Sequence, residues 1–134
     1  MITGLYAALL GLMLIFLSIQ VIRGRYRAQA ALGDRGDVEL LRRQRAQGNL
    51  TEYAPIFLLL LFFAEAQGLP VFWLHLLGLV FIGGRIFHAY GLLKAESYNE
   101  GFSNGQYRMV GMLSTFGCIT ALSLILLIRY GQGM

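Results

Sequence analysis

Residues 2–22, ITGLYAALLGLMLIFLSIQVI, carry no charged side chain. As a helix rising 1.5 Å per residue they reach roughly 31 Å, the thickness of one bilayer crossing. Arginines follow the run and none precedes it. A cleaved signal peptide has the opposite charge order and ends at a small-residue site. The run therefore reads as an anchor with its N-terminus outside. Composition supports this: 57% of the 134 residues are apolar and 13% charged, whereas soluble domains carry about 25% charged residues. Too little polar sequence exists to cover a water-soluble core, so lipid is the expected solvent and 1–134 the expected single domain.

Three more apolar segments follow. The loop 23–37, RGRYRAQAALGDRGD, is broken by Gly33 and Gly36, and Asp37 is placed to cap a helix with Glu39 in its first turn. That helix is expected over 38–67, polar in its early turns and apolar later. The tripeptide GLP at 68–70 marks a tight turn. A third helix is expected over 71–94, the loop SYNEGFSNGQ follows, and a fourth helix covers 107–128 after a first over 2–22. The expected fold is an all-α integral membrane bundle of four transmembrane helices.

Arg23, Arg25, Arg27, Arg35, Arg42, Arg43 and Arg45 share one side with Lys94 and Arg108, and Arg129 stands on the other. By the positive-inside rule the larger loops face the cytoplasm and both termini lie outside. The same placement beside spans explains the net charge of +4 without a nucleic-acid partner.

The second helix opens with RRQRAQGNLTEYAP, residues 42–55. Arg42, Arg45, Asn49 and Glu52 follow at spacings of three, four and three, on one helical stripe, with Tyr53 beside it. Pro55 removes a backbone donor and frees the carbonyl of Thr51, favouring a bend. Ionisable groups inside a span are costly and usually line a cavity or pathway; the competing reading is that they only orient the bundle. Arg85 and His88 are three apart on the third helix, with Tyr90 near them on a different face. Tyr107 and Arg108 open the fourth, Ser114 and Thr115 lie about two turns deeper, and Arg25 is placed to close the ring. Cations outnumber carboxylates. The expected ligand has more than one acidic end, plus a cation or donor for Glu52. A small peptide with two carboxylates and one ammonium meets that description.

These residues resemble the family of membrane-associated proteins in eicosanoid and glutathione metabolism (MAPEG). RAQGNLTEYAP is similar to its Arg-Ala-Gln/His-x-Asn-x-x-Glu motif, especially in the leukotriene C4 synthase and microsomal glutathione transferase 2 branch. QVIRGR, GGRIFHAYG and YRMVGMLST resemble the end of its first helix, its third-helix element and the start of its fourth. The resemblance implies a homotrimer of four-helix subunits, with glutathione held between subunits near the cytoplasmic face; a bacterial inner membrane is the expected location. It assigns glutathione contacts to Arg45, Asn49, Glu52 and Tyr53, with Gln47, Arg85, His88, Tyr90 and Arg25 as further contributors. Arg108 takes the place of the arginine that stabilises the thiolate. The sequence departs from the pattern in a longer third loop and in having His88 as the first ring-bearing residue after Arg85.

The thiolate, not the thiol, is the nucleophile. Arg108 combines a permanent cation with a helix start, and both favour negative sulfur. The expected activity is glutathione transfer to lipophilic electrophiles, with lipid hydroperoxide reduction as an extension. A glutathione-dependent isomerase and a non-catalytic binder of a small anion are the alternatives. No metal cluster, nucleotide loop or Ser-His-Asp arrangement stands out. Cys118 reads as a buried hydrophobe, Trp73 and His75 as interfacial rings, Glu65 as solvated, and Ala7 and Gly11 as a weak packing pair.

Overall fold

The computed structural model describes residues 1–95 and 105–133. They form four helices: α1 (Ile2–Ala28), α2 (Val38–Ala66), α3 (Val71–Tyr90) and α4 (Gln106–Gly131). All four are long and apolar enough to cross a membrane. No strand occurs among the described residues. The loop expected at 97–106 lies outside them apart from Gly105 and Gln106.

The helices run up, down, up and down. The N-terminus of α1 touches the C-terminal part of α2 at Glu65, and Tyr6 meets His75 near the start of α3. The other end of the bundle, here the arginine-rich end, collects the end of α1, the start of α2, the end of α3 and the start of α4.

Helix α1 is six residues longer than the uncharged run predicts. Arg23, Arg25 and Arg27 are good helix formers and continue it to Gln29, which turns left-handed at φ 50° and closes the last turn on the carbonyls of Arg25 and Tyr26. Asp37 caps α2, its side chain accepting from the Leu40 N–H at 2.7 Å. Helix α2 continues through Pro55. Helix α3 ends at Tyr90 and passes into a π-helical turn, Gly91–Ala95.

In lipid, apolar contact alone does not drive helices together; close packing and polar links do. Phe57 and Phe81 stack at the centre with ring centroids 3.8 Å apart and are fully buried. Helices α3 and α4 cross backbone to backbone at Gly84 and Gly111. A Cβ on Gly111 would sit 2.5 Å from the Gly84 carbonyl oxygen, too close for any side chain. Large apolar residues such as Leu12, Ile15, Leu113 and Leu127 point outward and are mostly exposed, the inverse of a soluble protein and suited to lipid.

Two residues read from sequence as peripheral are structural links. The Glu65 carboxylate accepts from the Ile2 and Thr3 N–H groups at 2.5 and 2.8 Å, so it caps α1 rather than standing in solvent. The first amides of a helix lack internal acceptors and attract a carboxylate. His75 is bonded through Nδ1 to the buried Tyr6 hydroxyl at 2.9 Å. Neither partnership is visible in local sequence, because each spans more than 60 positions.

Candidate functional site

At the arginine-rich end a cleft of about 620 Å³ opens between α2 and α4. Helix α2 contributes Arg45, Asn49, Glu52 and Tyr53 to it, α3 contributes His88, and α4 contributes Arg108, Met109 and Met112, with Gly105 and Gln106 at the rim. The α2 spacing puts four polar groups on one face, as the periodicity requires. The Gly84–Gly111 crossing brings α3 close enough to add His88: a Cβ at Gly111 would lie 2.7 Å from the Cβ of His88.

Arg85 lies beneath this cleft and is 2% exposed. Its guanidinium donates to the Asn49 side-chain oxygen, to the Gly111 carbonyl at 3.0 Å and to the Met112 sulfur at 3.6 Å. Its central carbon is 5.8 Å from the ring centres of both Tyr53 and Phe81. One side chain thus ties α2, α3 and α4 together. None of these partners carries a negative charge. Asn49 is also fixed through its amide, which donates to the Met112 sulfur at 3.6 Å. The Tyr53 ring packs edge-on against Phe116.

The electrostatics follow from this inventory. Arg45 and Arg108 line the cleft, Arg85 underlies it, and Glu52 is the one carboxylate facing them among the described residues. Glu52 is exposed and has no hydrogen-bond or ion-pair partner among those residues. The first N–H groups of α4 add to the positive field, since Gly105 offers no side-chain cap. Among the described residues the cleft therefore carries more positive than negative charge.

Three residues expected at the site stand elsewhere in this chain. The Arg25 guanidinium donates to the carbonyls of Ala30, Ala31 and Gly33 at 3.2–3.4 Å, holding the α1–α2 loop. Gln47 donates to Ser18 Oγ at 2.8 Å and links α2 to α1. Tyr90 faces a second cavity beside α1, its ring edge-on to Tyr107 with centroids 5.3 Å apart. Arg42, first of the stripe, donates to the Leu92 carbonyl at 3.1 Å in the π-helical turn. Ser114 and Thr115 bond back to the carbonyls of Val110 and Gly111 within α4. Sequence reasoning missed Met109 and Met112. Met112 is four residues after Arg108, so the same periodicity applied to α4 finds it.

The inner membrane protein YecN of Escherichia coli, in strains K12 and O6:H1, is 40% identical over 91 residues, which is 68% of this chain and 70% of the relative. The MAPEG family profile matches residues 3–128. That span holds the stripe of α2, the buried arginine of α3 and the arginine at the start of α4 together, so this four-helix membrane protein belongs to the MAPEG family.

Proposed function

We propose that this protein is a membrane glutathione transferase. The observation that carries the reading is the charge arrangement of the cleft among the described residues: Arg45, Arg108, the underlying Arg85 and the start of α4 stand against one carboxylate, Glu52. Glutathione has two carboxylates, one ammonium and one thiol. Arg45 and the α4 amides suit its carboxylates, and Glu52 suits its ammonium. Arg108 is the cation nearest a helix start and suits the sulfur. Arg45 and Glu52 are exposed on the single subunit, which fits closure of the site by a neighbouring copy in a homotrimer. Arg25 and Gln47, engaged within their own subunit, then act on the loop and the helix pair around the site.

In this reaction the thiol loses its proton to water, and the thiolate is held by Arg108. The sulfur lone pair forms a carbon–sulfur bond to an apolar electrophile arriving from the bilayer. The displaced electron pair leaves on the electrophile's leaving group or opened oxygen. Arginine suits the role because it stays charged in essentially any protein environment. The test is titration of the purified protein with glutathione while thiolate absorbance is followed, together with turnover of an aryl halide. A saturable thiolate band and conjugate formation are expected. Glutathione binding with neither leaves a binder, and no binding at all removes the reading.

A further inference from the structure

The second cavity, about 320 Å³, lies between α1 and the end of α3, on a different face of α3 from the one that carries His88. Its deep walls are apolar: Met13 and Leu17 of α1, Ile86 and Ala89 of α3. Its mouth is polar and basic: Gln20, Arg43, Tyr90 and Lys94. Both helices run toward the arginine-rich end, so both pass from apolar to polar in the same direction. From Met13 to Gln20 that gradient covers roughly 10 Å of helix.

We infer that this cavity seats an anionic phospholipid, one acyl chain between α1 and α3 and the phosphate between Arg43 and Lys94. Arg43 is built into position. It lies flat across α1 where Gly24 has no side chain, since a Cβ there would be 3.1 Å from Arg43 Cδ. It donates to the Gln20 carbonyl at 2.9 Å. Its acidic partner is Glu39 at 2.5 Å, which also meets Arg27 at 2.6 Å, and Arg27 in turn meets Asp37 at 2.7 Å; this cluster is neutral, so among the described residues the net positive charge at the mouth is that of Lys94. Lys94 is exposed and has no ion pair among the described residues.

The flanking faces, with Ile15, Ile19 and Phe87 exposed, are lipid-facing in character. A second copy of the chain fits this mouth poorly. In a parallel assembly it brings its own arginine-rich end to the same depth and sets like charge against like. A phosphate at the bilayer interface supplies a negative charge to Lys94, with the Arg43 guanidinium beside the mouth as a further donor, and juxtamembrane Lys and Arg residues commonly bind such head groups.

The experiment is native mass spectrometry of the full chain released from detergent with added phosphatidylglycerol, phosphatidylcholine or dodecanoate. Wild type is expected to retain one phosphatidylglycerol per chain in preference to phosphatidylcholine. Lys94→Glu should weaken that retention about tenfold, with helical circular dichroism unchanged because the residue is exposed. Ala89→Leu, which fills the wall, should also reduce it. Equal retention of the two phospholipids, or no effect of Lys94→Glu, overturns the inference. Retention of dodecanoate alone makes the occupant a free fatty acid and also overturns it. So does a disulfide between copies through a cysteine placed at Phe16, which makes the cavity a subunit interface. None of these outcomes depends on transferase activity.

Discussion

The buried Arg85 guanidinium donates to the side-chain oxygen of Asn49, joining α3 to α2 directly under the cleft. Both residues are expected ligand contacts from sequence, yet in the fold one holds the other. Arg85 carries its charge into the bundle without a carboxylate partner; an amide, a carbonyl, a sulfur and two rings surround it, while its buried Nε–H has no hydrogen-bond acceptor among the described residues. Removing one partner of such a pair leaves the other buried and unsatisfied, at a cost of about 1–3 kcal/mol or more for a charge. A double-mutant cycle of Arg85→Met and Asn49→Leu, read by thermal unfolding in detergent, should give a coupling above about 1 kcal/mol. Additive effects would mean that the bond contributes nothing.

Arg45 and Glu52 differ from that pair in being exposed. Arg45→Ala and Glu52→Gln should each weaken glutathione binding by roughly 1–3 kcal/mol, the loss of one charge-assisted hydrogen bond. Melting temperature should stay within roughly 3 degrees of wild type, since surface changes usually cost under about 0.5 kcal/mol. Calorimetry with glutathione checks the first statement and thermal unfolding the second. Normal binding by both variants would assign the stripe to bundle orientation alone.

The sequence makes the four helices legible because apolar length is a local property. The α2 stripe is legible for a similar reason: helical spacing alone puts Arg45, Asn49 and Glu52 on one face, and the structure brings them to one cleft with Tyr53, His88 and Arg108. What spacing does not convey is depth within the bundle. Arg85 and His88 share a face of α3, but the Gly84–Gly111 crossing buries the first as a link and leaves the second on the wall. Nor does spacing convey competition. Gln47, Arg25 and Arg42 carry the right chemistry, and each is taken by a nearer acceptor: Ser18, the loop carbonyls, and Leu92. Glu65 shows the converse, a carboxylate whose partners lie at the other end of α1.

The cap of α2 should respond to acid. The Leu40 N–H, and less strongly the Arg27 guanidinium, hold the Asp37 carboxyl below its ordinary range. A group with a depressed folded value stabilises the fold above its unfolded value, near about 3.9, and loses that contribution as pH falls through the folded one. Protection of the Leu40 amide against hydrogen exchange should therefore decline below about pH 4 relative to the Leu50 amide. Asn caps helices as well as Asp does but does not titrate. Asp37→Asn should keep the cap and flatten the profile. Coincident profiles for the two proteins would rule out Asp37 as the source.

The charge asymmetry predicts orientation. With Cys118 replaced by alanine, cysteines at Arg35 and Gln132 should be probed in intact cells with an impermeant thiol reagent. Only the second should react if the arginine-rich end faces the cytoplasm. Reaction at position 35 alone would invert the topology and move the cleft to the other side of the membrane.

Arg108 separates a transferase from a binder. It lines the cleft in the first turn of α4, where the uncapped amides share its sign. Lowering a thiol pKa by two units corresponds to about 2.7 kcal/mol of preference for the thiolate. A guanidinium and a helix start both act in that direction. Arg108→Ala should abolish most of the thiolate band and most turnover of an aryl halide. Glutathione affinity should fall less, because Arg45, Glu52 and Asn49 still face its polar ends. Arg108→Lys should recover part of the activity, since an ammonium restores charge but not the planar fork. Rapid-mixing kinetics with thiolate detection distinguishes the outcomes. Full turnover in Arg108→Ala would remove the residue from the reaction, and a persistent thiolate there would transfer its role to the uncompensated charge of Arg85 below.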